Sequence, residues 1–355
     1  MTNTVSVVKQ PCADLKVVNA ARVSMNKQHN DFDEKADTRL IRYLATHAHW
    51  TPFVHNRELI IFPMNSLTLQ HHFSEMLAKL TPEESAGMVV EFVPAPGETS
   101  YYAIKHSLYG WTNLLTKLAD NEIYAEATVA ERIMGVIKDK YPVSTQYLLP
   151  EYVVNKIPNN PIYRERNTQN INNLARHLSP AMFDITFYEN APIFVARQRF
   201  KHMIQFDYNE VSRRYVDDTP YFYYPEDNGW RGRPDKSIKQ GSGGVHENSI
   251  EISVEYKEYI DNAKKFYESL IERKVAPEMA RMVLPQSMVT EYFATGNITA
   301  IQRLLKQRLD PHAQLEIQEF AQQMDNEVRP LLDQMGHIIQ SGHNVMERLS
   351  ELGIF

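Results

Sequence analysis

The chain has 355 residues, room for one large or two ordinary domains, with 43% hydrophobic and 23% charged residues, the balance of a soluble globular protein. Its formal net charge of -6 excludes a general nucleic-acid coat, which would need a domain-wide basic excess. No apolar run approaches the roughly 20 residues of a membrane helix, and the segment after Met1 has no signal-peptide apolar core, so a cytoplasmic protein is expected. The one cysteine, Cys12, excludes internal disulfides and cysteine metal clusters; without a neighbouring histidine or cation cluster it reads as a bystander rather than a nucleophile.

In chain order, residues 13–27 read as a helix capped by Asp14, and residues 34–48 as a second with Leu40, Ile41, Tyr43 and Leu44 on one face. His47 to His55 holds three histidines in nine residues, and Leu59 to Phe62 is a short strand candidate. Residues 64–180 then carry mostly helical pattern, at Ser66 to Leu80, Tyr101 to Leu118, Tyr124 to Lys140 and Ile162 to Leu178. Loops at Pro94 to Glu98 and Ile157 to Pro161 punctuate it. It holds no chemical motif, and His71, His72 and His106 read as surface or satisfied histidines rather than ligands, so no metal is expected. Residues 183–190 alternate like a strand, and Ala191-Pro192 opens a helix. Pro220 to Pro225 suits a short extended piece, and Gln240 to Gly244 lacks the Lys-Ser/Thr of a phosphate loop, which leaves a linker or lid. Helices are predicted over 249–273 and from Ala276, the latter broken at Pro285. A strand over Ser287 to Thr295 leads to Asn297, which caps a helix to Leu309, and Pro311 opens a last helix to Gly336.

The chemistry concentrates between Phe194 and Tyr215. Arg197, Arg199, Lys201, His202, Arg213 and Arg214 interleave there with Phe194, Val195, Phe200, Met203, Ile204 and Phe206. Cations beside packed apolar surface need anionic partners. Forked guanidinium groups preceded by Ser212 suit a phosphate better than a structural salt-bridge cluster. A second group holds Arg303, Lys306 and Arg308; Lys306 fits a solvent face, whereas apolar neighbours favour a functional Arg308 within i+4 reach of His312. Glu278 and Arg281 have the spacing of an ordinary i,i+3 ion pair. There is no Gly-x-Ser-x-Gly elbow, Cys-His pair, His-Glu-x-x-His or Walker loop, so arginines without a nucleophile point to a cofactor that performs the hard chemistry.

These pieces resemble the flavin-dependent thymidylate synthases, through six blocks in that family's order: Asn19-Ala-Ala-Arg-Val-Ser24; His47-Ala-His-Trp-Thr-Pro-Phe-Val-His55; Ala191-Pro-Ile-Phe-Val-Ala-Arg-Gln198; Tyr208-Asn-Glu-Val-Ser-Arg-Arg-Tyr215; Pro277-Glu-Met-Ala-Arg-Met-Val-Leu-Pro285; and Arg308-Leu-Asp-Pro-His-Ala-Gln-Leu-Glu-Ile-Gln318. The resemblance implies an α+β fold, a mixed sheet with long helices, formed by residues 1–63 and 181–355, with 64–180 as a mainly helical insertion of unknown role. It implies methylation of dUMP at C5, with methylenetetrahydrofolate as carbon donor, FAD reduced by NADPH as hydride carrier, no enzyme nucleophile, and a homotetramer that shares its sites.

By the same resemblance Arg308 is the catalytic residue, facing the uracil and stabilising its ionised N3. Gln198, Lys201, Glu210, Ser212, Arg213, Arg214 and Arg281 join it around dUMP. His49, Thr51, Lys201, His202, Met203, Glu210, Asn297, Thr299, Arg303 and His312 fall on the flavin and folate side. Departures from the family pattern gather on that side. Lys201-His202-Met203 stands for Arg-His-Arg, Thr299 replaces an arginine, Arg303 an asparagine, and Val54 a common carboxylate. Arg199 and Arg303 are the candidates to restore the lost positive charge. The changed flavin side also leaves open C5-hydroxymethylation, with water in place of hydride, and a non-catalytic nucleotide-binding homologue.

Overall fold

A computed structural model describes residues 3–9, 13–25, 27–65, 67–94, 99–120, 124–214, 216–234 and 241–354. Cys12, Tyr215, Gln240 and the loop residues 95–98 lie outside them, as does the side chain of His72. The described elements are β1 (Thr4–Val7), α1 (Ala13–Arg22), α2 (Glu34–Thr46), α3 (Thr51–Val54), β2 (Arg57–Met64), α4 (Leu67–Ala78), α5 (Pro82–Ser85), β3 (Val89–Val93), β4 (Ser100–Ser107) and α6 (Leu108–Ala119). There follow α7 (Tyr124–Ile137), α8 (Pro142–Leu148), α9 (Glu151–Lys156), α10 (Ile162–Leu174), β5 (Asp184–Pro192), α11 (Ile193–Arg199), β6 (Phe206–Glu210) and α12 (Ser249–Glu272). The chain closes with α13 (Pro277–Ala280), β7 (Val289–Asn297), α14 (Ile298–Arg308), α15 (Leu315–Ser341) and α16 (Val345–Glu351).

The fold is mixed α+β, with two antiparallel sheets in the orders β1-β5-β7-β6 and β2-β4-β3. Strand β2 joins them. Leu59 and Ile61 pack into a core with Ile185, Phe187, Ile301, Phe320 and Met324, while Ile60 and Phe62 pack into a second with Val17, Ile41, Trp111 and Ile133. Burial on both faces is why this strand reads as an unbroken apolar run rather than an alternating one. Its outer edge is closed by Asn167 of α10, which accepts from the Ile61 amide at 2.8 Å and donates to the Leu59 carbonyl at 2.9 Å. Residues 64–180 are therefore knit to the rest. Strand β4 pairs with β2 along its whole length, and the second core takes in α1, α2 and α6 to α9.

A buried ionic seam crosses between the sheets. Arg57 on β2 bridges Asp184 on β5 at 3.0 Å and Asp207 on β6 at 2.5 Å, and Lys105 on β4 reaches Asp184 at 2.8 Å. Among the described residues no helix is long and apolar enough to cross a membrane.

Several expected elements change. The helix read over Tyr101 to Leu118 is strand β4 up to Ser107, followed by α6 capped by Ser107. Tyr102, Ile104 and their neighbours are held extended by ladders to β2 on one side and β3 on the other. Asp14 does not cap its own helix: its carboxylate accepts from the Val143 and Ser144 amides, both at 3.0 Å, and so caps α8 across the interface. Pro192 ends β5 and sits at the N-cap of α11 instead of in its first turn. The last long helix begins at Leu315 rather than Pro311 and runs through Pro330 and Gly336 to Ser341. The Pro220 to Pro225 piece contributes one isolated bridge, Phe222 to Met288. Strands β1, β3 and β6 had no sequence reading. The helices α2 and α12, strand β7 and the Asn297 cap, whose side chain accepts from the Ala300 amide, lie close to where the sequence put them.

Candidate active site

Strand β6 brings the centre of the basic segment to the sheet edge, pairing with β7 so that Glu210 stands opposite Tyr292. The next residues are pinned from the other side by the turn after α1. Ser24 Oγ donates to the Glu210 carbonyl at 3.1 Å, and the Ser212 amide donates to the Ser24 carbonyl at 3.2 Å. The loop thus opens onto a cavity of about 600 Å³. Glu210, Ser212, Arg213 and Arg214 line it with Arg281, which the short α13 carries in, and Ile193, Met282 and Leu284 supply apolar wall.

The polar groups of this cavity differ in their commitments. Arg213 Nη1 donates to both the Asp218 carboxylate and its carbonyl, each at 2.6 Å, so its charge is largely spent within the loop. Arg214 Nε donates to Ser212 Oγ at 3.3 Å, which sets a hydroxyl and a guanidinium side by side. Arg281 is exposed and makes no ion pair among the described residues. Its Nε donates to the Glu278 carbonyl at 3.3 Å, which corrects the carboxylate pair expected from spacing. Glu210 Oε1 accepts from Thr290 Oγ1 at 2.7 Å. Burial pushes the Glu210 carboxyl above its ordinary range, against the opposing pull of Thr290 and Arg281. Sequence reading missed Thr290 and Asp218: Thr290 meets Glu210 only through the pairing of β6 with β7, which no local pattern announces.

A second constellation lies at the other end of the segment. Arg308, at the close of α14, donates from Nε to His202 Nε2 at 2.9 Å and from Nη2 to the Gln198 carbonyl at 3.1 Å. His202, and not His312, is therefore its histidine partner. His312 is exposed and turns back to Asp310 at 2.9 Å. For Nε2 to accept, His202 must be neutral with its proton on Nδ1. Burial and the nearby Arg308, Arg199 and Arg303 hold it neutral, lowering its pKa to about 4. Gln198 Nε2 donates to Gln314 Oε1 at 2.7 Å. Gln198, Lys201 and Arg308 are absent from the lining of the Ser212 cavity, so one chain does not gather all the expected dUMP residues in one place.

Of the residues expected on the flavin side, Arg303 and Asn297 contact the 201–205 loop that follows α11 and holds His202. Arg303 Nη2 donates to the Ile204 carbonyl at 2.8 Å and so fixes the 201–205 loop, where Gln205 adopts a left-handed backbone with φ 64°. Asn297, besides capping α14, donates to Gln205 Oε1 at 3.4 Å. Lys201 and Thr299 are exposed, and Met203 and Ile204 are 71% and 68% exposed. His49 is exposed beside Tyr43 and His47, which stack at 4.1 Å, and Thr51 begins α3.

Arg199 is not available to restore lost site charge. It is fully buried, both Glu189 oxygens receive its guanidinium at 2.9 and 2.8 Å, and Nη1 donates to the Tyr208 hydroxyl at 2.6 Å. Burial opposes its charge, but Glu189 more than offsets this and holds the group above its ordinary pKa. Arg199 and Arg213 thus make the salt bridges that the alternative reading of the basic segment expected, and Arg213 and Arg214 both line the cavity.

The family model for thymidylate synthase complementing protein matches residues 144–332. A flavin-dependent thymidylate synthase of Aquifex aeolicus is 30% identical over 322 residues, which are 87% of this chain and 92% of that protein. One of Thermosipho africanus is 38% identical over 143 residues, 40% of this chain and 61% of that protein. A solved structure of the UMP/dUMP methylase PolB from Streptomyces cacaoi, bound with 5-Br UMP, is 28% identical over 46% of this chain and 76% of its own, with a TM-score of 0.37. With half the chain under the family model and nearly the whole chain aligned to a relative, this protein belongs to the flavin-dependent thymidylate synthase family.

Proposed function

We propose that the protein converts dUMP to dTMP, with methylenetetrahydrofolate as carbon donor and FAD reduced by NADPH as hydride carrier. The observation that carries this reading, beside family membership, is the cavity in which Ser212, Arg214 and Arg281 converge. A hydroxyl next to a guanidinium, faced by a second guanidinium that makes no ion pair among the described residues, suits a phosphate dianion. Glu210 and Thr290 bound the same cavity where the sugar and base would enter.

Arg308 would then stabilise the negative charge that builds on the pyrimidine ring as C5 becomes nucleophilic. Its two donors to His202 and Gln198 fix the guanidinium plane before substrate arrives, which is the condition for electrostatic catalysis. No protein nucleophile is required. The exposed Met203 and Ile204, with Lys201 on the same loop and Arg303 fixing it, suit a large planar anionic cofactor: apolar surface for a ring, cations for phosphates. When bound, flavin supplies the hydride that turns the transferred methylene into methyl.

A homotetramer belongs to the same proposal. The Ser212 cavity is lined without Gln198, Lys201 or Arg308 in one chain, and a second copy could bring those residues to it. Residues 64–180 are proposed as an insertion into residues 1–63 and 181–355 that supports the core through β2 and β4.

Two measurements test the reading. Product mass from dUMP, folate and NADPH should show dTMP; a hydroxymethyl product would replace the hydride step by water capture. Arg281→Ala and Arg308→Ala, each inactive alone, should regain activity when mixed and reassembled, because some sites then combine two intact halves. Persistent inactivity of the mixed assemblies, confirmed as such by mass, would show that one chain holds the whole site.

A further inference from the structure

A chain of hydrogen bonds runs from the loop before α12 to Gln198. Arg231 Nη2 donates to Glu316 Oε1 at 2.5 Å, Gln314 Nε2 donates to Glu316 Oε2 at 2.8 Å, and Gln198 Nε2 donates to Gln314 Oε1 at 2.7 Å. Arg231 is itself held by Ser242, which accepts from its Nε at 2.7 Å. Glu316 is buried and ion-paired with Arg231, and a carboxylate facing a guanidinium accepts at both oxygens.

That one fact fixes the direction of every link. Gln314 must turn its amino group to Glu316, so its carbonyl oxygen faces Gln198. Gln198 must then give its own amino group to Gln314, so its Oε1 is the atom left to meet a ligand. A side-chain amide, which alone could present either a donor or an acceptor, is thereby committed to one.

We propose that Gln314, anchored through Glu316 to Arg231, is a positioning residue that makes Gln198 an obligate hydrogen-bond acceptor and so selects the base of the nucleotide. The inference rests on the reading that Gln198 faces the pyrimidine. Uracil carries a donor at N3 flanked by carbonyl oxygens, whereas cytosine carries a bare acceptor at N3. An acceptor at Gln198 complements the N3 donor of neutral uracil, the form that binds before Arg308 draws negative charge onto the ring; against cytosine it sets two lone pairs together. Sites built to bond a polar group reject ligands that lack it, because a desolvated partner is left unpaired.

The test compares dUMP and dCMP binding, by titration calorimetry, to the assembled wild-type protein, Gln314→Leu and Gln314→Glu. Wild type should prefer dUMP. Gln314→Leu frees the Gln198 amide to flip, and the preference should fall at least about tenfold. Gln314→Glu still accepts from Gln198 Nε2, so the preference should survive, and survive best at lower pH, where one proton can be shared between residues 314 and 316. An unchanged preference in Gln314→Leu overturns the inference, as does loss of preference in Gln314→Glu at every pH. A wild-type protein with no preference for dUMP overturns instead the functional reading beneath it.

Discussion

Replacing Arg199 by Met tests whether the centre of the basic segment is structural or catalytic. Arg199 is 0% exposed, and so is its partner Glu189; the guanidinium also lies 4.2 Å from the Phe206 ring centroid and 5.1 Å from that of Tyr208. Methionine keeps the stem and removes three charge-assisted hydrogen bonds, two to Glu189 and one to Tyr208. What remains is a carboxylate buried without its counter-ion, and breaking such a pair costs about 3–5 kcal/mol. Removing both charges, as Arg199→Met with Glu189→Met, leaves no orphan ion and should cost much less than the sum of the single changes. The assay is urea unfolding of all four proteins at one protomer concentration, since assembly contributes to apparent stability. A single variant within about 1 kcal/mol of wild type, or a double variant equal to the sum, would refute the argument. Unaltered dUMP affinity in the folded fraction is expected as well, because Arg199 does not line the nucleotide cavity.

Arg308→Ala should lower kcat by roughly a hundred- to a thousandfold, about 2.7–4 kcal/mol for one preorganised donor, with dUMP binding through the phosphate cavity retained; steady-state kinetics beside direct binding checks the split. Stability should fall on acidification. His202 and His106 are held to about 4 and His55 to about 3, with burial the first cause for each, all below the ordinary imidazole value of 6.5. Near pH 7 both native and unfolded forms are neutral. Between 6.5 and 4 the unfolded chain takes up protons that the native state refuses, so stability present above 6.5 is lost as pH falls. Unfolding free energies from urea titrations across that window should slope more steeply than the about 1.4 kcal/mol per pH unit of a single proton. Asn167→Leu should destabilise by about 2–4 kcal/mol, because it orphans a buried amide and carbonyl on the open edge of β2; thermal or urea unfolding reads it, and a neutral effect would mean that water closes the edge.

The amino-acid sequence by itself determined the parts that depend on neighbours a few residues away. The apolar spacing of α2 marks Ile41 and Leu44 as buried, though Tyr43, read on the same face, is 50% exposed; Asn297 carries the cap chemistry of α14, and Ser212 with Arg214 is a local pair two residues apart. It also determined the family, through six short blocks in order. Tertiary structure decided the rest, since strand pairing and burial join residues far apart in the chain. The Tyr101 to Ser107 stretch is a strand because it is flanked by two others. Asp14 caps a helix about 130 residues downstream, and Arg308 finds His202 from 106 residues away. Arg199 and Arg214 look alike in sequence, and only folding separates them: Arg199 is buried against Glu189, whereas Arg214 lines the cavity beside Ser212. A charged side chain's role is set by whether its counter-ion is protein, buried out of water, or ligand, and that is a property of the folded surroundings.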